Sequence, residues 1–482
     1  MESPRRGAKG RRDADAETRP ARDSQRPDRP DGVSAVHRLS ITRTPSPAKM
    51  TARVGQICRQ FGVNPHPEPI RIVEDLALSL EPGTITLISG PSGAGKSAIL
   101  QALEERCPRA HAVHRAALPI NKSIVDAVGS RRSLGETLQL LTACALGEPR
   151  LWLRQYDQLS DGEQFRARLA WCIDHHLHDG SSGLLLCDEF CAVLHRRAAR
   201  SIAYNLRKLT TRLRLTLIVA TCSPDVAVDL QPDVLLQLHS TKPPEIRRRD
   251  PKKKPISLRR TVIIERAGKR DYLDFKPMHY RQTDELGFVD CVFVLREKRG
   301  GEKLAIVVYS YSPLELSLRN RALDGRFKRN AKLLNKEMRI LRRLVVHPDV
   351  RGCGLGHYLV RRTLPMVGVP YVECLASMGS VNPVFERGGM ERIGDCPMPA
   401  ERIKLLRELE TLGADPFGAD FVNQVVRRPR VRRVVAKMIY QWYQATTGEG
   451  EKRVARQSPQ FLAQAFRGLV GTQPVYYLWR RP

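Results

Sequence analysis

Apolar and polar positions divide the chain into two kinds of pattern. The stretch "PIRIVEDLALSLEPGTITLISG" (69–90) alternates around Pro82-Gly83, which predicts strand, turn and strand. A helix is predicted from Lys96, a helical stretch over 133–146 and a further helix from 162. The apolar strands Leu184–Cys187 and "LTLIVAT" (215–221) follow, separated by an Arg-containing helix. Strands alternating with helices predict an α/β unit with a parallel sheet over residues 50–240. After residue 260 the pattern changes. "DCVFVLREKRGGEKLAIVVYSYSP" (290–313) predicts a β-hairpin turning at Arg299-Gly300-Gly301. A basic stretch to Arg339, the strand "ILRRLVVHP", a Gly-rich loop, a helix and the strand "PYVECLA" (370–376) follow. This predicts a second, mixed α/β unit over 260–398, and a mostly helical extension over 399–482 with a late strand, "VYYLW" (475–479).

Two segments lack these patterns. Residues 1–49 are rich in Arg, Asp, Pro and Ser with few large apolar side chains, so they are expected to form a disordered basic tail. Residues 241–260, "TKPPEIRRRDPKKKPISLRR", read as an exposed basic linker, bounded here at 241–259.

Charge changes this picture most. The chain of 482 residues has 81 Lys+Arg and 51 Asp+Glu, a net charge of +30. Residues 1–50 carry +5 and residues 51–240 carry +2, leaving +23 for residues 241–482. A near-neutral half followed by a strongly basic half implies a polyanionic partner for the second, with RNA expected ahead of DNA. The basic segments 247–260, 319–336 and 427–437 would contact phosphates, with Tyr440, Trp442 and Tyr443 available for stacking. No run approaches the 18 or so apolar residues of a membrane helix, and the arginines near the start precede no apolar export segment. The 11 cysteines contain no CxxC pair and read as free thiols, so a cytoplasmic location is expected and a membrane partner is not. His175 and His178 in "DHHLHD" share a helix face, but a polar helix end fits them better than a metal site.

The chemistry-bearing motifs fall into two groups. "GPSGAGKS", Gly90, Pro91, Ser92, Gly93, Ala94, Gly95, Lys96 and Ser97, fits G-x-x-x-x-G-K-[ST] between a strand and a helix. Backbone N–H groups there would wrap a β-phosphate, Lys96 would bridge the β- and γ-phosphates, and Ser97 would ligate Mg²⁺. Asp188 and Glu189 end an apolar strand, where Asp188 can hold the Mg²⁺ shell and Glu189 can orient or deprotonate an attacking water. Ser160 and Gly162 in "LSDGE" sit at a further helix start. In this order the three motifs resemble an ABC-type ATPase, whose signature reads Leu-Ser-Gly-Gly-Gln. The resemblance covers residues 51–240 and implies ATP and Mg²⁺. It also implies a head-to-tail homodimer in which each signature serine caps the γ-phosphate of the partner's site. Three positions depart from the family. No Gln lies between Gln101 and Gln139, His195 replaces an aspartate, and Cys222 stands at the switch histidine.

The second group is "RGCGLG": Arg351, Gly352, Cys353, Gly354, Leu355 and Gly356, between a strand and a helix. With "NPVFERGGM" (382–390) and the preceding hairpin, it resembles the GNAT acetyltransferase family over about residues 260–398. The resemblance implies acetyl-CoA at this loop and acetyl transfer to an amine. It also puts Phe385 where the family's acid tyrosine lies, and Phe cannot donate a proton. Glu373 and Cys374 are candidates for a base or a water relay. The expected function is an ATPase coupled to N-acetyl transfer onto an amine of a nucleic acid or a protein bound to one. The alternatives are a nucleic-acid-associated ATPase switch whose second unit only binds acyl-CoA, and the ATPase subunit of a transporter.

Overall fold

A computed structural model describes residues 35–44, 46–66, 68–178, 184–223, 225–240, 242–249, 258–279, 286–447, 449–471 and 473–482. Its first sheet has the order β4-β5-β6-β3-β7-β8. These strands are β3 (Ile85–Ser89), β4 (His111–Ala112), β5 (Leu184–Cys187), β6 (Thr216–Thr221), β7 (Val234–Gln237) and β8 (Glu245–Arg248). All pairs are parallel except β7 with β8. β3, β5 and β6 are buried throughout, as the continuous apolar runs of a sheet covered on both faces require. Helix α1 (Lys96–Arg106) covers one face through Ile99, Leu100 and Leu103. Helices α2 (Leu134–Ala143), α3 (Asp161–His178) and α4 (Arg196–Leu213) cover the other. A capping box sets the start of α2: the Ser133 hydroxyl accepts from Glu136 N–H, and the Glu136 carboxylate accepts from Ser133 N–H.

Two strands fall in the segments read as tail and linker. β1 (Ala35–Arg43) pairs antiparallel with β2 (Ile70–Leu80), so the tail expected over 1–49 ends earlier; residues 1–34 lie outside the described residues. Leu39 is fully buried and Ile41 packs partly against the same core. Burying those side chains, at about 1.5–3 kcal/mol each when complete, outweighs the polar composition around them. β8 lies in the segment read as a linker, and residues 250–257 of that segment are outside the described residues.

The second sheet has the order β14-β15-β13-β12-β11-β10-β9. Its strands are β9 (Val262–Ala267), β10 (Val289–Glu297), β11 (Lys303–Tyr311), β12 (Met338–Val346), β13 (Tyr371–Ala376), β14 (Glu391–Asp395) and β15 (Val475–Arg480). The hairpin β10–β11 turns as expected, with Gly300 and Gly301 at positive φ. β12 and β13 form the one parallel pair of this sheet, and their pairing ends at Leu341 and Cys374. Between β12 and β13 runs α5 (Leu355–Thr363), and α6 (Val384–Arg387) precedes β14.

The unit expected to end at residue 398 does not close there. β15, from the far end of the chain, inserts between β13 and β14 and buries Val475, Tyr476, Tyr477, Leu478 and Trp479. The intervening helices are therefore an insertion into this unit. They are α7 (Ala400–Thr411), α8 (Phe421–Arg427), α9 (Pro429–Thr447), α10 (Gly450–Ala455) and α11 (Pro459–Val470). They have their own core, including Leu409, Val425, Val435, Ile439 and Phe466.

Candidate functional site

The phosphate-loop residues follow β3, and Asp188-Glu189 follows β5, both at the carboxyl edge of the parallel sheet. That edge is where open α/β sheets bind ligands. The two motifs are not on neighbouring strands: β6 separates them, and Cys222, just after it, is exposed. Gly93 and Gly95 have φ of 81° and 93°. A Cβ on Gly95 would lie 2.2 Å from Ile72 Cγ2, so glycine lets β2 press against the loop. Lys96 Nζ donates to Gly90 O (2.8 Å) and Pro91 O (2.7 Å), which holds the ammonium inside the loop. Pro91, Ser92, Gly93 and Ser97 are exposed, and Ala94 is half-buried. Asp188 Oδ1 accepts from Glu189 N–H at 2.9 Å, and Glu189 sits at φ 47°, a strained value for a non-glycine residue.

At the "LSDGE" segment, Ser160 precedes α3 and its N–H donates to the Glu163 carboxylate at 2.9 Å, leaving Ser160 itself exposed. Gly162 meets the stretch after Asp188-Glu189, where its Cβ would lie 2.9 Å from Leu194 Cδ2. An oxygen set of Ser97 hydroxyl and Asp188 carboxylate suits a hard cation such as Mg²⁺. Among the described residues no cluster of three His, Cys, Asp or Glu side chains forms a metal site. His175 instead stacks on Trp171 (3.7 Å between centroids), His178 faces Asp174, and Asp179 is outside the described residues.

The Gly-rich loop before α5 lies at a joint between the two units. The Arg351 guanidinium donates to Val346 O (2.9 Å), to Gly147 O (2.9 Å) and to Met278 O (2.7 Å). Its side chain thus holds the joint. Cys353 is also inward: its thiol approaches Ser201 O at 3.9 Å, and its N–H is taken by Val350 O at 3.4 Å. Gly352 abuts α2, with its Cβ position 2.6 Å from Thr142 O. Leu355 and Gly356 are buried, and Gly354 is half-buried at φ 83°. What the loop still offers an anion is backbone at the start of a nine-residue helix. His357, there, is held below its ordinary pKa by burial and then by Arg259, Arg387, Lys208 and Arg361; Lys208 belongs to α4.

α4 joins the units along its length. Arg197 pairs with Glu302 and Asp349, Arg200 with Asp229 and Glu297, and His195 with Asp349 at 3.2 Å. His195 therefore faces the second unit.

The candidate base Glu373 is fully buried and ion-paired with Arg319 at 3.1 Å, itself fully buried. Tyr476 OH donates to Glu373 Oε2 at 2.8 Å. Burial pushes the Glu373 carboxyl above its ordinary pKa, and Arg319 and Tyr476 oppose the shift. Glu373 is thus structural, and Arg319 is not part of a solvated basic patch. Burial likewise pushes the Cys374 thiol up. Phe385 packs at 5.4 Å against Tyr477, whose hydroxyl donates to Glu386 Oε1 at 2.8 Å. Sequence reasoning missed Tyr477; its one signal was "VYYLW", which gave no hint that the strand returns beside Phe385. On α9, Arg430, Arg433, Lys437 and Tyr440 are exposed at helical spacing, whereas Tyr443 is buried in the helical core with Trp442 against it.

The chain is similar to ABC ATPase cassettes over part of its length. It is 25% identical over 214 residues, 37% of this chain, to the Fe(3+) ions import ATP-binding protein FbpC 1 of Rhizobium meliloti. It is 43% identical over 56 residues, 12% of this chain, to the mycobactin import ATP-binding/permease protein IrtB of Mycolicibacterium smegmatis. The chain spans 56% and 9% of the lengths of these two relatives. Among solved structures, it resembles the dimeric bacterial ABC transporter cassette MJ0796 at 17% identity and a TM-score of 0.32, covering 44% of this chain and 97% of that one. An ATP-bound bacterial Atm1-family ABC exporter aligns at 20% identity and a TM-score of 0.29, covering 35% of this chain and 34% of that one. No family model matches the chain.

Proposed function

We propose that the chain is an ABC-type ATPase, acting as a head-to-tail homodimer, coupled to acetyl-CoA-dependent N-acetyl transfer onto an amine of a nucleic acid or of a protein bound to one. The observation that carries the ATPase half is the gathering of the phosphate loop and Asp188-Glu189 at one sheet edge, with Gly162 packed on the segment that follows them. On this reading Lys96 leaves its two loop carbonyls for the β- and γ-phosphates, and Ser97 and Asp188 hold Mg²⁺, which neutralises developing phosphate charge. Glu189 orients the attacking water, and Ser160 and Gly162 cap the γ-phosphate bound by the partner copy. ATP turnover and sizing of Glu189→Gln test this half. An ATP-dependent shift to twice the monomer mass is expected, and a monomer under ATP would count against the sandwich.

The transfer half rests on the Gly-rich turn into α5 and on the end of β12–β13 pairing at Leu341 and Cys374. In the transfer, the amine nitrogen bonds to the thioester carbonyl carbon, the C–S bond breaks, and the amine proton passes to the thiolate through solvent or a side chain. The basic second half and the exposed row Arg430, Arg433 and Lys437 support a nucleic-acid partner. Two observations favour the second reading, in which acyl-CoA is bound but not consumed: Phe385 supplies no proton and Glu373 is tied to Arg319. A transporter ATPase is a third reading, prompted by the import proteins among the relatives. No helix among the described residues is long and apolar enough to cross a membrane, so that reading needs separate membrane partners.

A further inference from the structure

Away from the ATP motifs and the Gly-rich loop, a cleft of about 910 Å³ opens at the end of the β10–β11 hairpin. Phe288, Tyr311, Ser312, Leu314, Lys336 and Arg342 are among its lining residues. Tyr311 N–H donates to Phe288 O at 2.9 Å, so the two aromatic residues stand opposite each other across the hairpin end. Phe288 is 86% exposed, Leu314 is 62% exposed and Tyr311 is 39% exposed. Phe288, Tyr311 and Leu314 together make an apolar patch at the cleft mouth that the described residues leave exposed, and a patch is more telling than a lone apolar side chain. The Arg339 guanidinium lies 4.1 Å from the Tyr311 ring centroid and is paired with Asp290 at 3.2 Å, so it props one face of that ring while its charge is matched.

The floor and rim differ in chemistry. Ser312 is 8% exposed, and its hydroxyl stands beside the buried Glu373 carboxylate as a hydrogen-bond donor. It is a polar group beneath an aromatic mouth, and a hydroxyl that donates can still accept from a base amine. Lys336 is exposed at the rim and forms no ion pair among the described residues. Arg342 is the first residue of β12 beyond Leu341, where pairing with β13 ends. Aromatic faces for stacking, a polar group for a base edge and cations for phosphate are the combination that holds unstacked bases of single strands. An acidic peptide would use the cations but leave Phe288 bare, and a duplex keeps its bases stacked out of reach.

From this arrangement we infer that the cleft binds an unstacked base of a single-stranded nucleic acid, stacked at Phe288 and Tyr311 with its phosphates toward Lys336 and Arg342. The inference rests on the nucleic-acid reading above and deepens it, because it makes the acceptor an exocyclic base amine. Arg342 places the cleft beside the point where β12 and β13 part, the same point on which the transfer reading above rests.

Fluorescence anisotropy with labelled 12-nucleotide single-stranded RNA, and with a duplex of the same sequence, tests it on the full chain. Phe288→Ala removes an exposed ring and leaves the fold intact. It should weaken single-strand binding about 5- to 150-fold and leave duplex binding unchanged. Lys336→Ala should lower single-strand affinity and reduce the slope of log K against log[salt] by about 1. If wild type binds the single strand but Phe288→Ala binds it equally well, the cleft assignment is overturned while the nucleic-acid partner stands. If wild type binds neither probe, the nucleic-acid reading itself fails, and the cleft assignment falls with it.

Discussion

Removing one member of the Arg319–Glu373 pair should damage the second unit more than removing both. In Glu373→Leu the Arg319 guanidinium keeps its bonds to Pro313 O (2.8 Å) and Leu314 O (2.6 Å) but loses its counter-charge at zero exposure. Tyr476 OH loses its acceptor as well. Breaking a buried ion pair from one side costs about 3–5 kcal/mol, and an orphaned hydroxyl costs about 1–3 kcal/mol. The two overlap, so the expected loss is about 4 kcal/mol, roughly a thousandfold in the unfolding equilibrium. Arg319→Met should cost a similar amount by stranding the carboxylate. The double variant Arg319→Met/Glu373→Leu should recover much of either loss, since no charge is left buried. Trp479 pairs with Val372 across β13 and β15 and reports on this unit. Urea unfolding followed by ¹⁹F signals of 5-fluorotryptophan, with Trp479 assigned through Trp479→Phe, isolates the transition. A loss below about 1 kcal/mol in Glu373→Leu, or a double variant no more stable than either single one, would refute the structural role.

Other expectations follow from the same geometry. Lys96→Ala should abolish ATP binding measured by equilibrium dialysis, because the ammonium inside the phosphate loop is lost. Gly356→Glu should abolish acetyl-CoA binding by calorimetry: even its Cβ would lie 3.3 Å from Val346 and Val384, and the carboxylate adds a repelling charge. Arg351→Ala removes three bonds to backbone carbonyls, two of them to residues outside its own strand and loop, and should loosen the joint, read as faster amide exchange at 142–147 and 351–356. Burial, with Arg259, Arg387, Lys208 and Arg361, holds the His357 pKa below its ordinary value in the folded chain, so the unfolded chain takes up the proton first as pH falls. Stability from this residue is present above pH 6.5 and lost below it, and His357→Gln should flatten that part of the pH–stability curve.

The nucleotide motifs were legible because each carries its own local geometry. A glycine turn, a lysine and a helix start need no distant residue to be recognised, and the sheet order then brings their strand ends to one edge. What escaped the sequence depends on distant partners. β1 is a strand because Leu39 finds the core beneath β2, and nothing local in "AVHRLSITR" announces that. β15 was visible as a strand, but its insertion between β13 and β14 is decided by pairing across the helical insertion. Arg319 lies in a run that reads as solvated charge, and only Glu373, 54 positions away, explains its burial. Arg351 matched a loop pattern, yet one of its donors goes to Gly147 in the other unit.

Transfer of label from acetyl-CoA tests the central claim most directly. Purified protein would be mixed with labelled acetyl-CoA, Mg²⁺ and a cell extract, with and without ATP, and then separated into nucleic-acid, protein and small-molecule fractions. Coupled transfer gives ATP-dependent label in the nucleic-acid fraction or its bound protein, absent with Gly356→Glu and with Lys96→Ala. Acetyl-CoA bound at the protein with no label transferred in any fraction would contradict it.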